Sequence, residues 1–144
     1  MALAGTTLAL ANLTGSPLLA DEAIRLHTEW IQLMPHSWAL WNRLASAYVQ
    51  LERPRQALEA AGSSLAITKE TENSASAHCI SGTALRGPER LEESVISLSR
   101  CLELNDAGLS AREAHKALAA VYAEMGEREL AERHSRLSQQ IAAP

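Results

Sequence analysis

Trp38 to Ile67 reads WALWNRLASAYVQLERPRQALEAAGSSLAI, and this stretch decides the fold. Trp41, Leu44, Ala45 and Tyr48 recur at helical spacing, which lays one apolar face along a first helix. A second helix begins at Pro54. Its Ala57, Leu58, Ala61, Ser64 and Leu65 keep three- and four-residue steps, and the small members let a neighbouring helix come close. The stretch is therefore a pair of helices joined by a short turn.

The pattern recurs on both sides. Upstream, Leu10-Ala11 fall on Leu44-Ala45, Thr14 on Tyr48, Ala23 on Ala57 and Ile31 on Leu65, with Thr7 in the place of Trp41. Downstream, Gly82 falls on Ala45, Leu85 on Tyr48, Ser94 on Ala57, Leu98 on Ala61 and Cys101 on Ser64. The last echo is the clearest: Leu118-Ala119, Tyr122 and Ala131 repeat Leu44-Ala45, Tyr48 and Ala57. Breaks fall between the helices. Gly15-Ser16-Pro17 supplies a cap and a first-turn proline, and Pro35 stops the second helix before a Ser37 cap. Thr68 to Ser74 is polar and reads as a loop ending in a Ser74 cap, Gly87-Pro88 and Gly126 are turns, and Ser110-Ala111-Arg112-Glu113 spells a capping box. Four helix pairs follow, at about 4–37, 38–74, 75–111 and 112–144, in one domain.

Trp41, Leu44-Ala45, Tyr48 and Ala57 together resemble the large and small positions of a tetratricopeptide repeat. The resemblance covers nearly the whole chain, the second and fourth units matching best. It implies an all-α, right-handed superhelical solenoid of about four repeats. As function it implies a non-catalytic scaffold or adaptor, which holds a peptide or partner helix in a concave groove lined by the first helices. The positions it assigns to that groove are Asn12, Ala39, Asn42, Ser46, Gln50, Ser76, Cys79, Thr83, Arg86, Glu113, Lys116 and Ala120. Most are small and polar, suited to hydrogen-bonding a peptide backbone. The paired cations with which some members grip a chaperone's C-terminal carboxylate are missing in either frame, where Leu8 with Asn12, or Asn42 with Ser46, stand first.

Composition narrows the classes further. A net charge of −4 with scattered Lys and Arg argues against a nucleic-acid surface. No apolar run is long enough to span a bilayer, and only 3% of residues are aromatic, which suits packed helices better than sheet. The apolar N-terminal segment lacks a basic start and a good cleavage pair, so a cytoplasmic location is expected rather than secretion. By the same token Asn12-Leu13-Thr14 is not expected to carry a glycan. Cys79 and Cys101 are too few for a disulfide scaffold and are expected as free thiols, Cys101 as a small core residue.

Residues with chemistry are few. The five histidines contain no HExxH and no pair at three- or four-residue spacing, so no metal or other cofactor is expected. His78 and His115 share the place of Trp41 and are expected as partly buried spacers. Cys79 beside His78 is the one pairing that an enzyme would use, and no third member orients it. Trp41 is expected in the core and Trp38 as a half-exposed anchor. Asp21-Glu22 and Glu92-Glu93 are placed in early helical turns where the dipole favours them. The rival to a groove binder is a homo-oligomer packed through its terminal helices, with Leu130, Leu137 and Ile141 as the apolar strip.

Overall fold

The computed structural model describes residues 2–87 and 89–141, leaving aside the side chains of 2–5, 11 and 12. Among the described residues eight α-helices follow one another: α1 (Ala2–Thr14), α2 (Pro17–Leu33), α3 (Trp38–Gln50), α4 (Pro54–Thr68), α5 (Ala75–Ala84), α6 (Leu91–Leu104), α7 (Gly108–Glu124) and α8 (Arg128–Gln140). A single 3-10 turn, Glu72–Ser74, precedes α5, and no strand occurs among the described residues. This is the all-helical, pairwise architecture that the repeated stretch predicts.

The turns show why the pairs form where they do. At the end of α3 the Leu51, Glu52 and Arg53 N–H groups bond back to Ala47, Val49 and Tyr48 carbonyls, with Glu52 in the left-handed region at φ 55°. The end of α7 repeats the same three bonds from Met125, Gly126 and Glu127 to Val121, Ala123 and Tyr122, and here glycine takes the left-handed place at φ 82°. Ser16 caps α2 as expected, accepting from Leu19 N–H at 3.5 Å.

Other caps differ from expectation. Ser37 and Ser74 make no side-chain cap bond, and the Ser74 hydroxyl donates instead to the Thr71 carbonyl. The capping box does not form, because α7 starts at Gly108 and Ser110 and Glu113 lie inside the helix. Ser110 meets the Ser76 hydroxyl at 3.3 Å, and Glu113 pairs with Lys116 at 3.6 Å. Glu92 and Glu93 do fall in a first turn, whereas Asp21 and Glu22 lie beyond it, since α2 begins at Pro17.

The chain divides into two compact units, Met1–Ile67 and Thr68–Pro144. In the first, α1 packs on α2 and α2 on α3, around buried Leu8, Ala23 and Ala47 with Ile24 and Leu51 against them. Asp21 of α2 reaches Arg53, after α3, at 3.2 Å. In the second, α6 packs on both α5 and α7, α5 on α7, and α7 on α8. Leu98, Cys101, Ala114, Leu118 and Val121 form its buried centre. α5 and α6 approach closely at Gly82: a Cβ there would stand 2.5 Å from the Leu98 Cγ and 3.1 Å from its backbone nitrogen. The Ser94 hydroxyl donates to the Gly82 carbonyl at 2.6 Å across the same approach.

One expectation is overturned outright. Cys79 and Cys101 are not free thiols but a disulfide tying α5 to α6. Both are buried, so the pair sits in the core of the second unit.

Candidate functional site

In the first unit the candidate face lies on α3. Trp41 is half-buried, its indole N–H donating to the Pro35 carbonyl at 3.0 Å, which fixes the ring against the preceding turn. The next residue, Asn42, is 92% buried, and neither its amide nitrogen nor its oxygen has a hydrogen-bond partner. Leaving a buried primary amide unpaired costs about 1–3 kcal/mol per group, so this position is costly in the isolated chain. Ala39 and Ser46 are half-buried and Gln50 is exposed, so Asn42, Ser46 and Gln50 grade from inside to outside along the helix. The Asn12 side chain lies outside the described residues.

In the second unit the first helices α5 and α7 run side by side in the same direction. Ser76 meets Ser110 at their starts, and Arg86, just past α5, meets Glu124 at the end of α7 at 2.9 Å. Between these ties lie half-buried Thr83 and Ala120 and exposed Glu113 and Lys116. Thr83 spends its hydroxyl on the Cys79 carbonyl at 3.0 Å. Cys79 presents no thiol: its sulfur is bonded to Cys101 and lies 3.3 Å from the Ser110 carbonyl. Bound in a disulfide, that sulfur has no proton to donate, so this is a packing contact. The cysteine nucleophile that an enzyme would need here is therefore gone.

The histidines find partners that the repeat alignment alone does not give. His78 bonds Glu70 through Nε2 at 3.0 Å, and the same carboxylate accepts from Arg100 Nε at 3.0 Å. Hydrogen bonds from Arg100 and then His78 hold the Glu70 carboxyl below its ordinary range. Lys69 and Glu70 both sit in the left-handed region, at φ 50° and 59°, so this ion group fastens a strained turn. His115 meets His134 of α8, and Tyr122 stacks on His134. The register that sets His115 on Trp41 sets His134 on Ala60, which puts the two on paired helices without specifying that their rings meet.

No protein-family model matches the sequence, and no curated protein matches it. Solved structures do match it in shape. The fold is that of MamA. A crystal structure of MamA superposes with a TM-score of 0.69 at 22% identity, covering 91% of this chain and 71% of that one. MamA from residue 41 to the end, from Desulfovibrio magneticus RS-1, gives 0.70 at 19% identity over 96% and 73%. A third, MamA MSR-1 C2, gives 0.62 at 21% over 95% and 75%. The all-helical architecture fits a tetratricopeptide-type repeat, and no helix among the described residues is long and apolar enough to cross a membrane.

Proposed function

We propose that this chain is a non-catalytic scaffold of tetratricopeptide type, whose four helix pairs form one array and whose first helices hold a peptide or partner helix. Asn42 carries the reading. Its amide keeps both donors and its acceptor unspent beneath the surface, so a ligand that displaces the covering side chains meets a donor and an acceptor together, which a peptide backbone satisfies. Ser46 and Gln50 extend that face within the first unit, and Thr83, Arg86, Glu113 and Lys116 belong to the paired first helices of the second, with Cys79 there as part of a cross-link rather than as a contact. The net charge of −4 favours protein over nucleic acid as partner. A buried disulfide favours an oxidising compartment over the cytoplasmic one expected from the sequence.

Self-association is the second reading, favoured by a specific observation. Leu13 is 84% exposed and Leu18 81%, either side of the turn between α1 and α2. Leu130, Leu137 and Ile141 of the last helix and its end are only half-exposed. A capture experiment separates the two readings, with wild type beside Asn42→Leu, which removes the unspent amide at similar volume. We expect the variant to be at least as stable as wild type and to lose its captured partner. Equal capture by both chains removes Asn42 from the binding face. A mass that rises with concentration in wild type and not in Leu13→Glu/Leu18→Glu supports association instead.

A further inference from the structure

His115 of α7 and His134 of α8 face each other with 2.8 Å between their Nδ1 atoms. Their ring centroids are 5.0 Å apart and the planes are tilted by 33°. The two nitrogens thus lie between the rings, close to the line joining the centroids. That is the geometry of one N–H pointing at one lone pair, whereas two metal ligands would aim both lone pairs at a third point. One ring is therefore the Nδ1–H tautomer and the other the Nε2–H tautomer. Tyr122 stacks on His134 at 5.5 Å and holds that ring in place.

We propose that this imidazole pair is an acid-sensitive latch that fastens the last helix to α7. The neutral pair holds one N–H···N bond. A first added proton leaves the bond intact, since an imidazolium still donates to a neutral imidazole and the bond becomes charge-assisted. A second proton occupies the only accepting lone pair and sets two cations face to face, so the rings part.

The surroundings do not offset that second charge. Among the described residues neither ring has a carboxylate within ion-pair distance. Arg86, after α5, is paired with Glu124, Arg100 of α6 with Glu70 and Glu103, and Glu113 of α7 with Lys116. On α8 the nearby charge is Arg133, which repels a proton on His134. Burial lowers the affinity of His115 for a proton, and burial, then His115 and Arg133, lower that of His134. Both folded-state values thus lie below the unfolded one. The unfolded chain binds more protons, so the latch is fully closed above about pH 6.5 and its stabilisation is lost as pH falls toward the folded values.

The test follows the imidazole nitrogens of the whole chain by NMR from about pH 8 to about pH 4.5, together with amide exchange of α8. We expect two coupled steps shared by the pair, with a nitrogen–nitrogen coupling across the hydrogen bond that disappears at the lower step. After correction for intrinsic exchange, α8 amides should exchange about tenfold faster below that step, the equivalent of one pKa unit, while α6 amides change little. In His134→Phe, which keeps the ring on Tyr122, α8 exchange should be flat over the same range. If that variant does not fold, His115→Gln serves the same purpose. Two independent titrations at ordinary imidazole values, or acid loosening of α8 undiminished in the variants, overturns the latch.

Discussion

Gly82 and Glu52 occupy positions where backbone geometry, not side-chain chemistry, sets what is tolerated. A methyl at Gly82 meets Leu98 at its Cγ and its backbone nitrogen, and the backbone cannot yield as a side-chain end can. Overpacking of this kind costs about 1–3 kcal/mol, so Gly82→Ala should lower the urea midpoint of unfolding with an unchanged slope. Glu52 presents the opposite case. It sits at the left-handed end of α3 in the turn that Gly126 makes after α7, and a β-carbon in that region costs about 1 kcal/mol. Glu52→Gly should therefore raise stability by up to about 1 kcal/mol, less what glycine adds to unfolded-chain entropy. A fall in midpoint would mean that the Glu52 side chain, not its backbone, matters in that turn. Gly82 was legible in the sequence as the counterpart of Ala45 in the repeat, whereas nothing in the sequence reading singled out Glu52. The strain was not legible at either, because it depends on φ and on one distance to Leu98.

Between elements, the legible part was the part with a short-range cause. Helix pairs, the Ser16 cap and the Gly126 turn follow from neighbours within a few residues, and they stand where the pattern puts them. The capping box at Ser110 failed because α7 begins earlier, at Gly108, so the same letters inside a helix found other partners. The cross-link from α5 to α6 had no spacing signature at all. Its cysteines are separated by 22 residues and meet only because Leu98 and Gly82 bring their helices together. The repeat alignment assigned Asn42 to the groove, and its burial without partners carried no signal in the sequence, since that depends on packing. Closing a loop of this length stabilises a fold by about 3 kcal/mol on the chain-entropy account. Cys79→Ala/Cys101→Ala should lose roughly that amount, and thiol counting on the unreduced, unfolded chain should find none. Two free thiols per chain in that count would remove the cross-link and with it the argument for an oxidising compartment.

At the scale of the molecule, stabilising devices are shared unevenly between the two units. The second holds the disulfide, the Glu70 ion group and the imidazole pair, whereas the first holds the most exposed leucines and the unpaired amide of Asn42. Terminal repeats of an array are commonly the atypical ones, and an array of repeats loses stability locally when one neighbour is weakened. A cross-link restrains only the unfolded ensemble of the loop that it closes, Cys79 to Cys101, which lies wholly in the second unit. Reduction thus distinguishes two ways in which the chain holds together. If the units open separately, a reductant should speed amide exchange in 75–141 by roughly a hundredfold, the equivalent of about 3 kcal/mol, and leave 6–50 unchanged. If the four helix pairs form one cooperative array, as the proposed scaffold requires, the slowest amides of both units report the same global opening, and both should accelerate together. Exchange measured by mass spectrometry with and without reductant reads this directly. A change confined to the second unit would make the chain two modules, and ligand binding would then have to be sought on each unit's own face.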